Sequence, residues 1–91
     1  MDDRRQKALE YAHQNRDAYL NSLKSLVEIP SISTSIDHKK AISETAEWLA
    51  TRLRKMGFSK VALYPTNGHP VVFGEYFSGK PGLKTILIYG H

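Results

Sequence analysis

Apolar residues recur three and four positions apart through the first third of the chain. Leu9, Ala12, Tyr19, Leu23 and Leu26 form one stripe, and Leu20 and Val27 widen it. This is the helical period, and it predicts a helix over residues 3–27. Arg16 interrupts the stripe, so the first half is expected to be the less buried half. Asp2 and Asp3 suit the positive end of the helix dipole. Pro30 ends the helix, because a proline pushes the residue before it out of the α region.

Residues 29–36 read as a linker rich in serine and threonine. Its isoleucines, Ile29, Ile32 and Ile36, are expected to hold it down on the body of the fold. Asp37 or Ser35 is placed to cap a second helix over 38–56. There Ile42, Ala46, Leu49, Leu53 and Met56 step four, three, four, three along one face, with Trp48 at its border. Gly57 suits the left-handed position after a helix, and Phe58 next to it is placed to touch Leu53, as in a Schellman ending.

Beyond Gly57 the period drops to two. Residues 60–64, Lys-Val-Ala-Leu-Tyr, predict a strand. Pro65 to Pro70 is a turn region, with Asn67-Gly68 suited to positive φ. Residues 71–77 predict a second strand, in which Gly74 marks a bulge or a close backbone approach. Ser78 to Gly82 turns the chain again, and 84–89 predict a third strand. From Ile86 to Tyr89 that strand is continuously apolar, the pattern of a strand covered on both faces. The fold class expected is α/β: two N-terminal helices followed by three strands of one sheet, with the helices packed on it. Two short helices do not cover both faces of such a sheet, so the third strand expects further neighbours.

Ninety-one residues make one small domain at most. The excess of four positive charges raises the question of an anionic partner. The basic residues answer it: Arg4, Arg5 and Lys7, then Lys39 and Lys40, then Arg52, Arg54 and Lys55 are scattered over helix faces and ends. No basic stripe interleaved with aromatics appears, so no nucleic-acid partner is expected. The absence of cysteine removes disulfides and thiolate metal sites and fits a reducing compartment. The charged N-terminus leads into no apolar signal region, and no run is long enough to span a bilayer. A soluble, cytoplasmic protein without membrane partners is the expectation.

The four histidines, His13, His38, His69 and His91, show no ligand-pair spacing such as H-x-x-x-H. His13 and His38 fall on polar helix positions and His69 in a turn. His91 differs: it follows Gly90 at the tip of the third predicted strand, where open α/β sheets present catalytic and metal-binding groups. Ser31, Ser33 and Ser35 have no evident base and suit capping or turn hydrogen bonds. The carboxylates Glu10, Asp17, Glu44, Glu47 and Glu75 are dispersed, and no phosphate-cradling glycine loop occurs.

Four segments in order carry a family resemblance. They are Leu26-Val27-Glu28-Ile29-Pro30-Ser31-Ile32-Ser33, Leu53-Arg54-Lys55-Met56-Gly57-Phe58, Gly68-His69-Pro70-Val71-Val72, and Ile86-Leu87-Ile88-Tyr89-Gly90-His91. Together they resemble the start of the zinc-dependent metallopeptidases of the aminoacylase/carnosinase/carboxypeptidase type, and most of all the dipeptidase branch. The resemblance implies that the chain is the N-terminal part of a larger α/β catalytic domain. It implies that His91 is the first zinc ligand, followed two positions on by an aspartate bridging two zinc ions. Later segments would supply a glutamate general base, further carboxylate ligands and a last histidine. The implied reaction is hydrolysis of dipeptides or related amides by a zinc-activated water, with the glutamate moving protons.

On that reading the 91 residues hold one metal ligand and no catalytic residue, and alone are expected to be inactive and to bind zinc weakly. The competing reading is a stand-alone α+β binding module without catalysis. The third strand separates them. A finished module blunts its edges with charge, proline or a bulge, and Ile86 to Tyr89 has none. That strand is also expected to drive self-association of the isolated chain.

Overall fold

A computed structural model describes residues 3–90 of the chain. Its elements are α1 (Asp3–Gln14), α2 (Arg16–Val27), a single 3-10 turn (Ile36–His38), α3 (Lys39–Lys55), β1 (Lys60–Tyr64) and β2 (Val71–Glu75). The class is α/β, with α3 packed on a two-stranded antiparallel sheet.

The helix expected over 3–27 is divided at Asn15. The Asn15 side-chain Nδ2 donates to the Tyr11 carbonyl at 2.8 Å, alongside the Asn15 backbone N–H at 3.0 Å. A short amide that competes for the local carbonyl disturbs helical geometry, and Asn15 takes φ −103°, ψ 14°. Neither α1 nor α2 buries a residue.

The linker is tied by its own backbone. Ser31 N–H donates to the Ile29 carbonyl, Ile32 N–H to that of Pro30, and Ser35 N–H to that of Ile32. Ile29 is half-buried, but Ile32 and Ile36 are exposed, so the linker is not held down by all three isoleucines. The expected side-chain cap is also absent. The 3-10 turn moves the cap of α3 to His38, which makes no side-chain cap bond, and Asp37 lies inside the turn.

At its other end α3 closes as a Schellman motif. Phe58 N–H donates to the Leu53 carbonyl and Gly57 N–H to that of Arg54, with Gly57 at φ 89°. Met56, the last residue of the expected stripe, is exposed. The buried residues of the described chain are three alanines of α3, Ala41, Ala46 and Ala50, the last with no exposed surface. Ile42, Leu49 and Leu53 flank them half-buried.

Helix and sheet approach closely at Gly74. β1 and β2 pair in unbroken register, Val61 with Gly74 and Leu63 with Val72 on the helix side, Ala62 with Phe73 and Tyr64 with Val71 on the other. Gly74 is therefore not a bulge. A Cβ there would stand 2.8 Å from Leu53 Cδ1 and 2.9 Å from the Phe58 ring. The far side of the sheet carries Tyr64 and Phe73 edge to face at 6.0 Å and no helix of the described chain.

The third expected strand does not form. Among the described residues, β2 ends at Glu75 and residues 83–90 join no ladder. A continuously apolar strand gains its backbone and side-chain partners from neighbours on both sides, and residues 83–90 pair with neither open edge of the hairpin.

Candidate functional site

The sequence segments of interest meet at one end of the hairpin. Within the β1–β2 connection, Thr66 Oγ1 donates to the His69 carbonyl at 2.6 Å and accepts from the Gly68 N–H at 3.0 Å. This turn aims His69 across to the linker, where its Nε2–H donates to the Ser33 carbonyl at 2.9 Å. A carbonyl only accepts, so the ring carries a proton on Nε2 and turns Nδ1 away from this bond. The Gly-His-Pro turn and the Pro-Ser linker, far apart in sequence, are thereby fastened together. The imidazole is in structural use, and both partners are exposed.

A second imidazole also has a serine partner. His38 Nδ1 and Ser35 Oγ lie 2.8 Å apart across the 3-10 turn. The sequence reading found no base beside these serines; the turn creates the pair, and the Ser-x-x-His spacing at a helix start was its only signal. A catalytic pair needs a third group to orient the base, and the hydrogen bonds of the described residues give His38 none. The contact joins two side chains and satisfies no backbone N–H of α3.

A groove of about 550 Å³ runs between α2 and α3. Glu44, Glu47, Trp48 and Arg52 line its α3 side, Ser22 its α2 side, and Ile29 of the linker its end. The Arg52 guanidinium lies 5.6 Å from the centre of the Trp48 ring and donates to Ser22 Oγ. Acidic and basic groups are mixed in the groove, and no histidine enters it.

His13 is exposed on α1, beside Leu9 and Glu10 of the same helix. Among the described residues, no three His, Asp or Glu side chains come together to hold a metal ion. The described residues do not by themselves fit a zinc ion. His91, the metal ligand implied by the resemblance, lies outside the described residues. No helix of the described chain is long and apolar enough to cross a membrane.

No family model matches the sequence, and no solved structure matches it. Two curated proteins do. The Cys-Gly metallodipeptidase dug1 of Schizosaccharomyces pombe is 27% identical over 94 residues, covering 93% of this chain and 20% of its own length. The Cys-Gly metallodipeptidase DUG1 of Candida albicans is 27% identical over 85 residues, covering 80% of this chain and 17% of its own. The chain spans about a fifth of the length of these relatives. Similarity to metallodipeptidases thus extends along nearly the whole chain, at low identity.

Proposed function

We propose that this chain is the N-terminal part of the catalytic domain of a dinuclear zinc dipeptidase acting on Cys-Gly or related short amide substrates. His91 supplies one zinc ligand, and the remaining ligands and the general base come from residues beyond the 91. The observation that carries this reading is the similarity to a metallodipeptidase over 93% of the chain. Two features of the fold support it. The His69–Ser33 hydrogen bond joins two of the four segments on which the family resemblance rests. The apolar run that leads to His91 lacks sheet neighbours among the described residues, as expected of a strand whose partners lie elsewhere in a larger domain. In this reading the described residues are scaffold: α3 and the hairpin set the ground against which a strand tip is placed.

The test is His91→Ala in the full-length protein that carries this sequence. Zinc content and Cys-Gly hydrolysis are expected to fall together, with the circular dichroism spectrum unchanged. Near-normal turnover at full zinc occupancy refutes the assignment. The 91-residue chain alone is expected to show no dipeptide hydrolysis and only weak zinc binding by calorimetry; a submicromolar site lost on His91→Ala counts against the fragment reading.

A further inference from the structure

The chain has three asparagines, Asn15, Asn21 and Asn67. Asn15 joins α1 to α2 with its Nδ2 on the Tyr11 carbonyl, and Asn21 stands inside α2. Asn67 lies in the exposed turn between β1 and β2 and is followed by Gly68. An asparagine amide is thermally labile. The group that attacks it is the backbone nitrogen of the next residue, which reaches the side-chain Cγ by closing a succinimide ring. Glycine leaves that nitrogen unhindered because it has no Cβ.

The fold adds a restraint that the dipeptide alone does not reveal. Gly68 N–H donates to Thr66 Oγ1 at 3.0 Å, and the same hydroxyl donates to the His69 carbonyl at 2.6 Å. With its hydrogen committed to His69, the Thr66 oxygen is left to accept from Gly68. Attack requires the Gly68 nitrogen to give up its hydrogen, and that is the hydrogen Thr66 holds. The bond therefore favours the unreactive amide.

We propose that Asn67 is a site of intramolecular deamidation, restrained by the Thr66 hydroxyl, and that the reaction loosens the linker from the hairpin. The Gly68 nitrogen loses its proton to water or hydroxide and bonds to Asn67 Cγ. The Cγ–Nδ2 bond breaks, and Nδ2 leaves as ammonia. Water then opens the succinimide at either carbonyl. One opening leaves aspartate at position 67. The other leaves isoaspartate, in which the main chain runs through the side chain and gains a methylene. That methylene enters between Thr66 and His69, whose contact shapes the turn, and just before the ring that holds the Ser33 carbonyl at 2.9 Å.

The test is incubation of the full-length protein that carries this sequence at mildly alkaline pH, followed by peptide mass spectrometry and an isoaspartate assay. Asn67 is expected to convert well before Asn15 or Asn21. Thr66→Val should convert about two- to tenfold faster than the parent, the range set by opening one neutral hydrogen bond. Thr66→Ser, which keeps the hydroxyl, should hold the parent's rate. In strong urea, parent and Thr66→Val should react alike, because no turn is left to restrain the amide. Gly68→Ala should suppress the reaction; a Cβ there meets Thr66 Oγ1 at an ordinary 3.8 Å, so the turn accommodates it. Amide exchange in residues 31–35 should accelerate in the isoaspartyl form. Equal rates at the three asparagines overturn the proposal, as does an undiminished rate in Gly68→Ala. So do equal native rates for parent and Thr66→Val, a difference between them that persists in urea, or a valine-like rate for Thr66→Ser. Unchanged exchange of residues 31–35 in the isoaspartyl form overturns it as well. None of these results bears on the metallodipeptidase reading.

Discussion

Replacing Gly74 by alanine adds one methyl group at the tightest point between α3 and the sheet. The new Cβ would stand 2.8 Å from Leu53 Cδ1, and 2.9 and 3.3 Å from two carbons of the Phe58 ring. The leucine methyl is the end of a flexible side chain and can turn aside. The ring is stiffer, and its neighbour residue Gly57 is fixed by the Schellman hydrogen bonds. Inserting a methyl into a packed contact costs about 1–3 kcal/mol. Alanine restricts the unfolded chain relative to glycine, which returns about 0.4–1 kcal/mol. The net expectation is a loss of about 1–2 kcal/mol, most of it from the Phe58 side. Urea unfolding followed by the fluorescence of Trp48, at a concentration low enough to keep the chain monomeric, reads this directly. With a slope near 1 kcal/mol/M, the midpoint should fall by roughly 1–2 M with the slope unchanged. Leu53→Ala in the Gly74→Ala background should cost less than Leu53→Ala alone, a coupling of at least about 0.5 kcal/mol between touching residues. A Gly74→Ala midpoint equal to that of the parent, or strict additivity with Leu53→Ala, would show that helix and strand are not in contact at this point.

Two further substitutions test the joints of the fold. Gly57→Ala should cost about 1 kcal/mol, because φ 89° is strained for any residue with a Cβ, and Gly57→Asn should cost less; equal melting temperatures for parent and alanine variant would contradict this. His69→Ala removes one exposed hydrogen bond, so stability should fall by only about 0.5 kcal/mol, yet amide exchange in residues 31–35 should accelerate; unchanged exchange there would mean that the His69–Ser33 bond does not hold the linker.

The local features of this fold were legible where a few adjacent residues decide them. Gly57-Phe58 after a periodic run foretold the Schellman ending, and the change of period beyond it foretold the hairpin. Asn67-Gly68 marked the turn between the strands, although neither takes the positive φ expected of the pair, and Gly74 marked the close approach. What escaped depends on partners remote in sequence or on competition among local bonds. The run Ile86 to Tyr89 has the composition of a buried strand, but composition does not say which edge a strand pairs with, and among the described residues it joins neither open edge of the β1–β2 hairpin. The apolar face expected for α3 included Ala46, which is buried, but also Met56, which is exposed, and it left out Ala50, the most buried residue of the helix. Asn15 divides the first helix through a side-chain bond that no apolar periodicity reveals. The His69–Ser33 contact gave no sign at all in the sequence, because nothing in either segment names the other. His91, the residue on which the family resemblance placed the chemistry, lies outside the described residues.

The same contact has a consequence for how the molecule comes apart. A hydrogen bond between His69 and Ser33 closes the intervening chain into a ring that contains all of α3 and β1. β2 is laced to that ring by the ladder, whereas α1 and α2 hang from it as a tail, fastened to α3 from outside by the Arg52–Ser22 bond. A tail that buries no residue detaches without opening the ring, and regions that open at low cost separate from those that do not. The molecule is a lasso, and a protease cutting at Asn15 trims its rope while leaving the noose tied.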